Sequence, residues 1–141
     1  IMENHKMLVE NSGLLTVAAL KHLDCKNKKV VSILSGGNMD IITLSSVVQH
    51  GLIQRGRVFT VSVQLPDRPG ELGKVANVIA EMKGNVIRLE HNQFVSINRN
   101  AAVELRITME AFGQEHKKEI IDRLKKEGYT PKEESPTGIY E

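Results

Sequence analysis

From Val58 the sequence alternates, with Phe59, Val61, Val63 and Leu65 at every second position and Thr60, Ser62 and Gln64 between them, until Pro66 and Asp67-Arg68-Pro69-Gly70 break the pattern. A period of two marks a strand with one face on a core and the other toward solvent, as in antiparallel sheets. After the turn the period becomes helical: Leu72, Val75, Ala76 and Ile79 share one stripe, closed by Gly84 in the place of a left-handed cap. A second strand is expected from about Val86 to Ile97, then a hairpin turn at Asn98-Arg99-Asn100. In the third strand Val103, Leu105, Ile107 and Met109 alternate with Glu104, Arg106, Thr108 and Glu110. The spacing predicts a helix over 114–127 that buries Ile120, Ile121 and Leu124 and stops at Gly128, and the segment 129–132 offers a short fourth strand. This βαββαβ order predicts an α+β, ferredoxin-like domain over 58–132, one antiparallel sheet with both helices on one face. Residues 133–141 read as a polar tail.

The first 57 residues follow another rhythm. Asn11 and Ser12 are placed to cap a helix running to about Leu23. The continuous apolar run Val30–Leu34 predicts a strand buried on both faces, the kind found in parallel sheets. Asp40 then caps a helix carrying Ile41, Leu44, Val48 and Leu52, closed by Gly51 or Gly56. One such strand leaves two unpaired edges, so this helix-strand-helix segment is expected to be a piece of a larger sheet that pairs with a partner subunit or stays partly disordered.

Composition narrows the function classes. The 141 residues suit one domain and an appendage, and with no Trp and 4% aromatic residues the core must be aliphatic. A single cysteine, Cys25, excludes an intrachain disulfide and fits a reducing compartment. No apolar run approaches the ~20 residues of a membrane helix, so a cytoplasmic protein with no membrane partner is expected. The net charge of +2 is spread among interleaved acidic and basic residues rather than gathered into a stripe. Ferredoxin-like sheets that bind RNA present aromatic rings on the open face. The outward positions here are Thr60, Ser62, Gln64, Arg106 and Thr108, so no nucleic-acid partner is expected.

The turn at 67–70 is the chemically informative one. Pro69 lacks an amide hydrogen and fixes its φ, Gly70 removes side-chain bulk, and the first free amides of the following helix point into the gap with the positive end of the dipole behind them. A carboxylate fits there. His91 and Gln93 interrupt an otherwise apolar strand face and read either as satisfied structural residues or as an interface or ligand edge, whereas His116 is expected to face solvent. Residues 58–129, through "VSVQLPDRPGELGKVANVIAEMKGNVIRLEH", "AAVELRITME" and "HKKEIIDRLKKEGY", resemble an ACT domain, a small ligand-binding module of amino-acid metabolism. The resemblance implies a free amino acid bound at a subunit interface by Asp67, Arg68, Pro69, Gly70, Leu72, Asn85 and Val86.

Residues 10–57, around "VVSILSGGNMD", resemble the C-terminal end of the pyridoxal-phosphate domain of threonine ammonia-lyases, enzymes of fold type II. The resemblance implies that Ser35 hydrogen-bonds the pyridine nitrogen of the cofactor, with Gly36 and Gly37 in the same turn. The Ser-Phe-Lys motif that carries the cofactor-binding lysine and the tetraglycine loop that cradles the phosphate are both absent from this sequence. No cofactor is therefore expected in this chain, and Ser35, Gly36 and Gly37 are vestigial without the rest of the pyridoxal-phosphate site. The expected function is an amino-acid-binding regulatory module, a homodimer or larger, sensing isoleucine, valine, serine or threonine and silent as a catalyst. Two alternatives stay open: an oligomerisation module without a ligand, and part of a complete threonine dehydratase.

Overall fold

The computed structural model describes residues 1–92 and 102–135. Two compact units make up the chain, Ile1–Val47 and Val48–Glu141.

In the second unit four strands form one sheet in the order β2-β3-β1-β4. The central strand β1 (Val58–Pro66) pairs antiparallel with β3 (Ala102–Glu110) along its whole length, from Val58 opposite Glu110 to Pro66 opposite Ala102. On its other side β1 meets the three residues of β4 (Lys132–Glu134). The fourth strand therefore begins where 129–132 was expected to end, and it takes in the first two residues of the segment read as a tail. Strand β2 (Asn85–Asn92) is the edge beside β3, with a bulge between Val86 and Arg88. The hairpin turn expected at 98–100, with Gln93, Val95 and Ile97, lies outside the described residues.

Helices α4 (Glu71–Glu81) and α5 (Gln114–Lys126) contribute to the core. Phe59, Val61, Val63 and Leu65 of β1 and Leu105, Ile107 and Met109 of β3 pack against Val75, Val78 and Ile79 of α4 and Ile120, Ile121 and Leu124 of α5. The apolar positions of the two alternating runs are thus the core positions. In α4 the buried stripe is Val75, Val78 and Ile79, extended by Met82, while Ala76 is exposed and Leu72 is 41% exposed. The spacing 75, 78, 79, 82 is itself helical, and it turns the first turn of α4 away from the core.

The opposite sheet face differs from expectation. Thr60, Ser62 and Thr108 were read as outward, yet all three are buried. Longer neighbours close over them: Thr60 and Thr108 share a hydrogen bond of 2.8 Å, Ser62 donates to Glu104 at 2.5 Å, and Arg106 reaches Glu134 at 2.6 Å and Glu90 at 3.7 Å. Arg88 completes the row on Glu90 at 2.9 Å.

At the end of α4 the left-handed residue is Lys83, φ 60°, not Gly84, and the Gly84 amide donates back to Ile79 at 2.9 Å. Glycine is needed at 84 for space instead: a Cβ there would lie 2.8 Å from Cγ2 of Ile79. At the end of α5, Gly128 takes φ 90° as expected, and the Tyr129 amide donates to Leu124 at 3.1 Å.

The first unit holds α1 (Met2–His5), α2 (Leu15–Ala19) between two 3₁₀ turns, Ser12–Leu14 and Leu20–His22, and the start of α3 (Ile41–Gln54). One capped helix to Leu23 was expected. Instead Asn11 already has helical dihedrals and makes no side-chain cap, and Ser12 donates to Glu10 at 2.5 Å. The run Val30–Leu34 forms no strand, and Val31 and Ile33 are 88% and 71% exposed. A strand exists only by pairing, and every strand among the described residues belongs to the sheet of the second unit. Asp40 caps α3 as expected, accepting from the Thr43 amide at 2.9 Å and the Thr43 hydroxyl at 2.5 Å. Gly51 lies inside α3, and Gly56, φ 64°, closes it.

Candidate functional site

Strand β1 delivers the turn to the end of the sheet. The Arg68 amide donates to Pro66 at 2.8 Å and the Glu71 amide to Arg68 at 3.4 Å, which folds Asp67–Gly70 into a compact loop ahead of α4. Gly70 has φ 91° and ψ −14°, a left-handed conformation that glycine adopts without penalty. A Cβ on Gly70 would touch nothing within 4 Å, so the space beside it is open. No side chain caps α4. Its Lys74 amide donates to Gly70 at 3.1 Å, while those of Leu72 and Gly73 find no acceptor among the described residues. These donors lie at the positive end of the helix dipole, an arrangement whose chemistry suits an anion.

A shallow cleft of about 320 Å³ lies at this loop. Asp67, Arg68, Pro69, Gly70 and Leu72 line it together, with His91 and Val103. Nearby, Glu71 pairs with Lys74 at 2.7 Å, and that pairing raises the Lys74 pKa. Burial, reinforced by the Glu71 carboxylate, raises the Tyr129 pKa.

Asn85 and Val86 are elsewhere. Asn85 is opposite Glu110, which is opposite Val58, so they sit at the start of β1, whereas the loop follows its last residue. The eight steps of β1 between them span roughly 26 Å. There the Asn85 side-chain amide donates to Glu110 at 2.9 Å, and both line a second cleft of about 160 Å³ with Leu52, Arg57, Lys83 and Phe112. One chain therefore carries the two groups of expected ligand contacts at opposite ends of its sheet.

His116 is not simply solvated. Its ring is half-buried and both nitrogens are engaged, one with the Phe112 amide at 3.0 Å and the other with the Met82 carbonyl at 2.6 Å. By alternation Glu110 is one polar position of the third strand among several. Nothing in the alternation distinguishes it, and only the sheet register shows it to be the partner of Asn85.

In the first unit the turn Ser35-Gly36-Gly37 is exposed. Gly36 has φ 78°, its carbonyl accepts from the Glu10 amide at 3.1 Å, and a Cβ on it would lie 2.3 Å from the Glu10 carboxylate. Gly13 packs as closely, since a Cβ on it would run into the Ser35 carbonyl. Among the described residues no group of three His, Cys, Asp or Glu is placed to hold a metal, and no helix is long and apolar enough to cross a membrane.

The sheet order and the two helices define an α+β, ferredoxin-like fold, and residues 59–128 match the family model described as "ACT domain". The chain belongs to that family, whose members bind amino-acid effectors. Nearly its whole length is also similar to threonine ammonia-lyases. It is 37% identical over 131 residues to the L-threonine ammonia-lyase of Geobacter sulfurreducens, covering 92% of this chain and 33% of the relative. It is 32% identical over 130 residues to the L-threonine ammonia-lyase of Thermotoga maritima, covering 92% and 32%. To the L-threonine dehydratase biosynthetic IlvA of Pasteurella multocida it is 30% identical over 135 residues, covering 92% and 25%. The chain thus spans a third or less of these relatives' length, and it corresponds to their C-terminal, ACT-bearing part.

Proposed function

We propose that this chain is the sensing part of a threonine ammonia-lyase: it binds a free amino acid and, through that binding, controls threonine deamination at the head of branched-chain amino-acid synthesis. The observation that carries the reading is the open cleft at the uncapped start of α4, where the amides of Leu72 and Gly73 have no acceptor among the described residues. Asp67, Arg68, Pro69, Gly70 and Leu72 form the half of the site that takes the effector's carboxylate. Residues 1–57 are read as the end of the catalytic domain, and catalysis requires residues that this chain does not supply. A cytoplasmic location follows from the same reading.

The separation of Asn85 and Val86 from the loop supports a site shared between two copies. Among the described residues strand β2 is a largely exposed edge, with Asn85 at its start and His91 near its end, beside the loop. When two such edges pair antiparallel about a two-fold axis, the start of one strand lies against the end of the other. Each loop then faces the partner's Asn85 and Val86, giving two equivalent sites per dimer. An effector bound there shifts the attached catalytic domain only through its different affinity for two arrangements of the pair.

The test is thermal denaturation of the chain with each of the twenty amino acids. Isoleucine, valine, serine or threonine is expected to raise the melting temperature. A dimer that none of the twenty stabilises would replace this reading with that of an assembly module.

A further inference from the structure

We propose that Glu110 sets the direction in which the amino acid lies across the dimer, acting as a positioning residue through Asn85; the inference rests on the shared site described above. A carboxylate only accepts hydrogen bonds, so the Asn85 atom that faces Glu110 at 2.9 Å is its amide nitrogen. The amide is planar, so its oxygen is the atom turned away from Glu110, on a side chain that lines the second cleft. What this end of the sheet offers a ligand is an acceptor oxygen with a carboxylate behind it. Such a pair takes the ammonium group, leaving the ligand's carboxylate for the free amides of the partner's α4.

Two cations line the same cleft, Arg57 and Lys83. The Arg57 Nε donates to the Ala111 carbonyl at 3.1 Å, and Lys83 belongs to the turn that precedes Asn85. If these held the ligand, its carboxylate would sit here and its ammonium at the loop, and the preferences below would reverse.

The experiment is calorimetric titration of the full chain with L-isoleucine, L-valine, L-serine and L-threonine, each against the 2-hydroxy acid of the same skeleton, in which a hydroxyl replaces the ammonium. Glu110→Gln keeps an acceptor for Asn85 but removes the charge. It is expected to weaken the amino acid that binds best about tenfold and to leave the matching hydroxy acid within about twofold, as loss of one charge-assisted contact requires. Lys83→Met is expected to leave the ratio of amino acid to hydroxy acid unchanged. An unaltered ratio in Glu110→Gln, equal weakening of both ligands, or a ratio altered by Lys83→Met overturns the assignment of Glu110 while the sensing function stands. If none of the four amino acids binds the wild-type chain, the sensing function falls, and the role of Glu110 with it.

Discussion

The Nε2 atom of His116 lies 2.6 Å from the carbonyl oxygen of Met82, joining the first turn of α5 to the end of α4. Because the Phe112 amide donates to Nδ1 at 3.0 Å, that nitrogen is the acceptor and Nε2 carries the hydrogen. The Phe112 ring stacks on the imidazole with centroids 4.8 Å apart. One side chain thus holds the Lys83-Gly84 turn from which β2 starts, and so the position of Asn85.

His116→Phe keeps a ring for Phe112 but leaves its amide and the Met82 carbonyl without these partners. A loss of about 1–3 kcal/mol is expected for such a deletion. Lys118→Ala, on the exposed side of the same helix, is expected to stay within about 0.5 kcal/mol of wild type. Urea denaturation of both variants checks the contrast, and equal midpoints would show that the His116 contacts contribute nothing.

Two glycines are predicted to respond in opposite directions to alanine. At Gly84 the added carbon meets buried Ile79 at 2.8 Å and Ile120 at 3.3 Å, and overpacking of this kind costs about 1–3 kcal/mol. At Gly73, inside α4, it meets nothing within 4 Å, and alanine is expected to stabilise the chain by about 0.5–1 kcal/mol through the unfolded state. Melting temperatures of the two variants, one lowered and one raised, provide the measurement.

These contrasts mark what was legible in the sequence. The core was, because Phe59, Val61, Val63 and Leu65 alternate and every one of them is buried. The covering of Thr60 and Ser62 was not, because a period of two reports which way a side chain points and says nothing of the long neighbours that fold over it. Val30–Leu34 shows the opposite limit: an apolar run states what a segment can pair with, and the pairing itself depends on strands that must come from elsewhere. The loop half of the candidate site could be read locally from Pro69 and Gly70. Asn85 could not be placed, since its distance from the loop is set by the direction of three strands.

Acid should loosen the start of α3 before the rest of the helix. Hydrogen bonds from the Thr43 side chain and backbone lower the Asp40 pKa from its ordinary value of 3.8. A lowered folded-state pKa means that the carboxylate's contribution is fully present above the unfolded value and is lost as the pH falls through the folded one. Protection of the Thr43 amide, its exchange rate measured by NMR relative to that of the unfolded chain at the same pH, is expected to fall as the pH drops below about 4, and Asp40→Asn should remove that dependence.

A shared site makes a prediction about mixtures that no site within one chain can match. Gly70→Val forces a β-branched residue into φ 91° and disables the loop, whereas Asn85→Ala disables the strand half. Each variant dimer then lacks both sites. In a heterodimer the intact loop of one chain faces the intact Asn85 of the other, so one of its two sites is whole. Co-refolding the variants in equal amounts yields heterodimers as half of the population, and effector-binding capacity is expected to return to about a quarter of the wild-type value per chain. Titration of each variant alone and of the mixture measures this directly, and a mixture as silent as its components would mean that loop and strand never meet across the dimer.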